Sequence, residues 1–176
     1  DLVAELKPAV VSFHFGLPAP ELLTYIKSNG VKVLASATTV AEALWLEERG
    51  VDAIIAQGLE AGGHRGHFLS DDLGLHMGTF ALLPQIVSRV KIPVIAAGGI
   101  ASAEGVEATT KLGGVAAQVG TAYLLCTEAK TSAIHRTALQ SEQAPHTEIT
   151  NVFSGRPARG IVNRLIREQG PLSTRV

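Results

Sequence analysis

The chain has 176 residues, enough for one domain with a real hydrophobic core. Apolar residues make up 46% and charged ones 18%, which excludes a disordered chain, and a net charge of −1 with scattered Lys and Arg leaves no footprint for nucleic acid. No apolar run approaches the roughly 18 residues of a membrane span, the first residues do not read as a signal peptide, and a single cysteine, Cys126, rules out an internal disulfide and fits a reducing, cytoplasmic compartment.

In chain order, DLVAELKP reads as the tail of a helix already under way; with Asp1 first and Met77 the only methionine, a preceding N-terminal part is expected. PAVVSFHF (8–15) reads as a strand with His14 at its exit. Residues 20–29 follow with Leu22, Leu23 and Ile26 on one helical face and Gly30 as the C-terminal cap. VKVLAS (31–36) is the next strand, ending on Ser36. Thr39 and Glu42 have capping-box spacing at the head of a helix that stops at Gly50, and Trp45 within it is a packing residue.

VDAIIA (51–56) is a third strand, and straight after it comes QGLEAGGHRG (57–66), with four glycines, a carboxylate, a histidine and an arginine. A mere turn needs one glycine or two. HFLSDDLGLHMG prolongs the loop. After Thr79, the residues Phe80, Leu83, Val87 and Val90 keep helical spacing, with Pro84 tolerable only near a first turn. IPVIAA (92–97) runs into AAGGIAS, a helix is predicted over 102–112 from a Ser102 cap, and GVAAQVG (114–120) runs into QVGTAYL. Near the C-terminus, NVFSGRPARG leads into a helix with Ile161, Leu165 and Ile166 apolar; Arg156 and Arg159 read as a solvated basic turn or as contacts to an anion.

The strands are continuous apolar runs, as strands covered on both faces read, and their alternation with helices predicts parallel pairing through crossovers. The fold class is therefore α/β. An open nucleotide-binding sheet would need a G-x-G-x-x-G turn, which GGHRG does not supply. The favoured alternative is a (β/α)8 barrel of which this chain supplies about five βα units, its C-terminal part, so that residues 1–176 form one partial barrel domain.

In such a barrel the phosphate site lies on the loops after the last two strands, here the corners at Gly98–Gly99 and at Gly120–Thr121, where free N–H groups at a helix start attract a dianion. His64, among glycines beyond a strand end, suits proton abstraction, since an imidazole titrates near neutrality; a surface histidine bonded to backbone is the alternative. His64, His67, Asp71, Asp72 and His76 cluster in sequence, but their spacing matches no zinc pattern and no metal is expected. Gln57 offers an amide either to a ligand or to buried backbone. His14 reads equally as structural or functional, and Cys126 as an inert small hydrophobe.

Taken together, QGLEAGGHRG, IPVIAAGGIAS, QVGTAYL, TNVFSGRPARG and SFHFGLP resemble the nitronate monooxygenase family, from about residue 9 to about 168 and in the family order. The AGGH-x-G element is shared with related FMN-dependent enoyl-ACP reductases. The resemblance implies an FMN-dependent barrel that oxidises alkyl nitronates or nitroalkanes with O2 to a carbonyl compound and nitrite. It implies His64 as the catalytic base, Gln57, Gly62 and Gly63 as flavin contacts, Gly99, Gly120 and Thr121 as the phosphate grip, and Ser36 as a further flavin contact. NAD(P)H-dependent reduction of a quinone or enoyl thioester on the same cofactor is the alternative. Self-association into a homo-oligomer is left open. Nothing in the chain corresponds to the family's first three strands.

Overall fold

The structure is a computed structural model, and it describes residues 2–174. The elements in order are α1 (Leu2–Leu6), β1 (Val10–Phe13), α2 (Pro20–Ser28), β2 (Lys32–Ala37), α3 (Val40–Glu48), β3 (Ala53–Gln57), β4 (Gly63–His64), α4 (Thr79–Val87), β5 (Val94–Ala97), α5 (Ala103–Lys111), β6 (Ala116–Gln118), α6 (Ala133–Leu139), β7 (Thr147–Thr150), β8 (Ala158–Ile161) and α7 (Arg164–Gln169). Short 3-10 turns lie at Leu73–Leu75 and Thr121–Leu125. The chain forms two compact units: one runs up to Leu59 and resumes over Gly66–Gln118, and the other joins Glu60–Arg65 to the residues from Val119 on.

The first unit carries the five parallel strands that the apolar runs predict, in the order β1-β2-β3-β5-β6. The register sets Phe13 beside Ala35, Ala37 beside Ala56, and Gln57 beside Ala97, so these strands end at one edge of the sheet. Crossover helices make this pairing possible, because parallel neighbours cannot be joined by a tight turn. β3, in the middle, is buried at every position, whereas the outer strands β1 and β6 are exposed or half-buried. Val33, Leu46, Ile54, Leu82, Leu83 and Ile86 are fully buried and form the heart of the apolar core.

The helices begin and end where the sequence signals them. Thr39 Oγ1 accepts from the Glu42 N–H and Ser102 Oγ from the Gly105 N–H, both at 3.2 Å, while Gly30 and Gly50 close α2 and α3 with φ of +77° and +76°. One expectation fails. Pro84 stands inside α4, well past its first turn. Its missing N–H forfeits one bond to the Phe80 carbonyl. The burial of Leu82, Leu83 and Ile86 outweighs that loss, and the ladder resumes as the Ser88 N–H donates to the Pro84 carbonyl at 3.1 Å.

The second unit is built differently. Its sheet is antiparallel, in the order β4-β8-β7, with His64 opposite Ala158 and Thr150 opposite Ala158 on the other side. The basic SGRPARG segment is therefore half turn and half strand, a strand the sequence pattern does not reveal. Among the described residues, no helix is long and apolar enough to cross a membrane.

Candidate functional site

In the first unit the site residues gather at the C-terminal edge of the parallel sheet, where α/β folds place their chemistry. β1 delivers His14 just beyond Phe13, β2 delivers Ser36, and β3 ends on Gln57. His14 Nδ1 lies 3.0 Å from Ser36 Oγ, and the Gln57 carbonyl oxygen accepts from the Gly66 N–H at 2.8 Å. Gly66 is a close approach: a Cβ there would sit 2.6 Å from His14 Cε1 and 3.1 Å from the Ser36 Cβ. So Ser36, Gln57 and His14 converge on one backbone position. Ser36 and Gln57 are 6% and 7% exposed, so polar atoms they hold are held dry. The turn that carries His14 onward is strained, with Phe15 at φ +67° and its ring edge-on to the imidazole at 4.5 Å.

Two buried polar residues brace this edge, and pattern reading alone did not assign them that role. Thr79 Oγ1 donates to the Gly98 carbonyl at 2.8 Å, and a Cβ on Gly58 would meet the Thr79 backbone nitrogen at 2.4 Å. The corner at Gly98–Gly99 is thereby fixed, with φ of +117° and +68° at its two glycines. Glu42 is 1% exposed, and its carboxylate takes four donors. One oxygen accepts from the Thr38 N–H at 2.7 Å and the Thr38 hydroxyl at 2.8 Å, the other from the N–H groups of Phe68 at 2.7 Å and Leu69 at 3.2 Å. The capping box expected from Thr39 and Glu42 is thus half made. The cap forms, but the carboxylate reaches past Thr39 to clamp the loop after GGHRG.

Because Thr38 gives its only hydroxyl proton to Glu42, His76 Nε2, 3.2 Å from that oxygen, is the donor of their bond. His67 Nε2 lies 3.5 Å from Asp71 Oδ1, with its Nδ1 buried and unbonded. The two rings are neighbours, with centroids 5.4 Å apart, but among the described residues no three His, Cys, Asp or Glu side chains group so as to hold a metal ion.

In the second unit, β4 holds Gly63 and His64 against Arg159 and Ala158 of β8, and the Arg65 N–H donates to the Pro157 carbonyl at 2.8 Å. Both β4 residues are exposed. Gly62 abuts Thr121: a Cβ on it would lie 2.9 Å from Thr121 Oγ1. Gly120 opens the 3-10 turn Thr121–Leu125 with no side-chain cap on its N–H groups, and nothing lies within 4 Å of where its Cβ would stand. The apolar helix start read after Thr121 is only this turn. The structure therefore groups the candidates as Ser36 and Gln57, with Gly99 on the same sheet edge, in one unit, and Gly62, Gly63, His64, Gly120 and Thr121 in the other. Ser154 is a residue that sequence reasoning passed over: its hydroxyl is 2.7 Å from His64 Nε2. Nothing in a lone serine before a Gly-Arg turn could have signalled it.

With that geometry in place, the comparisons are consistent. The family model of nitronate monooxygenase matches residues 1–175, and the chain belongs to that family of oxidoreductases. It is 49% identical to the nitronate monooxygenase of Paraburkholderia phytofirmans over 159 residues, 90% of this chain and 43% of the relative. With the nitronate monooxygenase of Pseudomonas aeruginosa it shares 44% identity, covering 93% of this chain and 47% of the relative. The crystal structure of a nitroalkane oxidase from Streptomyces ansochromogenes superposes with a TM-score of 0.90 at 43% identity, over 97% of this chain and 50% of that one. FabK from Thermotoga maritima follows at a TM-score of 0.79 and 33% identity, over 95% and 50%. The chain spans about half the length of the curated relatives it matches.

Proposed function

We propose that the full-length protein oxidises alkyl nitronates, and nitroalkanes once deprotonated, with O2 to a carbonyl compound and nitrite, on a bound FMN. The observation that carries the reading is His64, fixed on a two-residue strand in the same unit as the Gly62–Thr121 contact, in a chain of this family. The residues fit a flavin nucleotide. Gly120 has open space beside it and no side-chain cap on the N–H groups after it, which suits a phosphate, and Thr121 follows it directly. The family resemblance adds Gly99 to that grip. Gln57, Gly62, Gly63 and Ser36 would contact the flavin. The flavin supplies electron acceptance and reactivity toward oxygen when bound.

The protein's own part is proton chemistry and placement. His64 takes the α-proton of a neutral nitroalkane: the C–H bond breaks, its electron pair stays on the substrate as the nitronate, and an N–H bond forms on the ring. A substrate arriving as the nitronate needs no such step. Gln57 and Ser36, being buried, limit water at the edge they occupy. The reading includes a cytoplasmic setting, supported by the single cysteine.

His64→Asn is expected to abolish nitroalkane turnover, by about 100-fold or more, while sparing pre-ionised nitronates. Equal loss on both substrates in steady-state kinetics sinks the base role. The shared AGGH-x-G element favours one second reading, reduction of a quinone or enoyl thioester by NAD(P)H. Anaerobic bleaching of the flavin by NADH, with none by a nitronate, would decide for it.

A further inference from the structure

Among the described residues, two that are not glycine have a positive φ: Lys7 at +43° and Phe15 at +67°. Lys7 stands just past α1, where a left-handed residue is an ordinary way to end a helix. Phe15 closes no helix. It follows β1 by two positions, and for a bulky aromatic that conformation is an outlier. Glycine or asparagine would turn the same corner with less strain.

The neighbours on both sides impose the corner. Before it, His14 is fixed by the 3.0 Å contact of its Nδ1 with Ser36 Oγ, and it lies against Gly66, where a Cβ would come within 2.6 Å of His14 Cε1. After it, Gly16 is buried at φ +86°, and a Cβ there would press on the Phe68 ring at 3.3 Å. Phe68 is itself held: its N–H donates to Glu42 Oε1 at 2.7 Å, and its ring stands edge-on to Trp45 at 5.0 Å. Strain of this kind persists where the surroundings fix it, and it gathers at ligand sites. Phe15 occupies such a place. It stands beside His14 on the sheet edge of Ser36 and Gln57, and it is 38% exposed there.

We propose that Phe15 is a specificity-determining residue, its ring forming the apolar wall for the alkyl chain of the substrate. The inference rests on the proposed nitronate oxidation, with the flavin against Ser36 and Gln57. A nitronate has a polar end at its reacting carbon and a hydrocarbon tail. Ser36 and Gln57 offer hydrogen bonds, which the tail cannot use. The Phe15 ring offers it dispersion contact and removal from water. Because the tail does not react, that contact is the same in the ground state and the transition state, so it acts on KM rather than kcat. Its effect grows with the length of the tail.

The test uses the full-length, flavin-loaded protein and two pre-ionised substrates, the nitronates of nitroethane and 1-nitrohexane, so that proton removal does not enter. Phe15→Ala is expected to lower the ratio of kcat/KM for the long nitronate to that for the short one about tenfold, chiefly by raising KM for the long one. Phe15→Leu, which keeps an apolar side chain, restores most of the ratio. Release of FMN on dilution, followed by flavin fluorescence, stays at the wild-type level in both variants. Since only glycine escapes the strain, Phe15→Gly melts above Phe15→Ala. The proposal is overturned by an unchanged ratio in Phe15→Ala, by loss of FMN without a change in ratio, or by Phe15→Gly melting below Phe15→Ala. If the wild-type protein turns over neither nitronate, the oxidation reading itself falls and takes this inference with it; wild-type turnover with a ratio indifferent to Phe15→Ala removes only the role of Phe15.

Discussion

β3, the middle strand of the first unit's sheet, is buried at every position, whereas β8, the middle strand of the second unit's sheet, is half-buried throughout. The difference runs through both units. The first hides aliphatic side chains such as Val33, Leu46, Ile54 and Leu82 completely; among the described residues of the second, only Ala61, Ile166, Thr150 and Arg65 are buried. The second unit leans on directional bonds instead. The guanidinium of Arg136 donates to the carbonyls of Leu125, Cys126, Ala129 and Thr131 at 2.6–3.2 Å, which gathers the loop before α6 around one side chain. Apolar burial tolerates small shifts but not extra volume, while an exposed bonded loop accepts extra volume and, on losing its donor, opens locally at modest cost.

Substitutions should separate the two kinds of region. Gly58→Ala puts a Cβ within 2.5 Å of the Thr79 backbone, which cannot yield, and should destabilise by at least about 3 kcal/mol. Gly160→Ala, on β8 with nothing within 4 Å of the new atom, should change stability by less than about 0.5 kcal/mol. Comparable losses in denaturant midpoint for the two would erase the contrast. Next in size, Glu42→Ala strands four buried or half-buried donors and should cost about 3 kcal/mol, with Glu42→Gln somewhat less because an amide oxygen still accepts from one pair. Hydrogen exchange at Phe68 and Leu69 reads the effect locally.

Arg136→Ala in the second unit should cost only about 1 kcal/mol, since several of its carbonyls can turn to water. Limited proteolysis should nonetheless find the 125–131 segment opened; unchanged cleavage there would show that the carbonyls are held by something else. The smallest effect concerns Asp52. Partial burial, the largest influence, pushes its carboxyl upward. The Val33 N–H, the bond from Lys32 and the charges of Lys27 and Lys32 together outweigh it and leave it below the ordinary carboxylate value. A folded-state value below the unfolded one contributes stability that is present above about pH 4 and drains away as pH falls through the folded value. Asp52→Asn should therefore lower stability at neutral pH and flatten the acid limb of the stability profile. An acid limb identical to that of the wild type would remove Asp52 from that account.

Much of the first unit was legible because its strands announce themselves twice, by apolar runs and by the caps of intervening helices. Thr39, Ser102, Gly30 and Gly50 all act at the positions the sequence marks. Pro84 misled, because the local rule against proline inside a helix carries no knowledge of how deeply Leu82, Leu83 and Ile86 are buried. The second unit was harder. β4 is two residues long and β8 runs through Arg159 and Gly160, so neither shows an alternation that a pattern can register. The candidate site shared that split. His64, Gln57 and Thr121 could be picked out as candidates by their place after strand ends, and Gly62 by the family resemblance, but Ser154, Thr38 and the reach of Glu42 past its capping partner could not.

By itself, the sequence determined the parallel α/β order, the strand ends that carry Ser36, Gln57 and Gly99, and the glycine-rich stretch around His64, because periodicity, caps and turn chemistry are local properties. Tertiary structure alone decided that a serine 90 positions away would meet the His64 ring, and that one buried carboxylate would clamp Phe68 and Leu69. Such pairings are set by the register of strands and the fit of loops in space, and no residue's neighbours in the chain encode them.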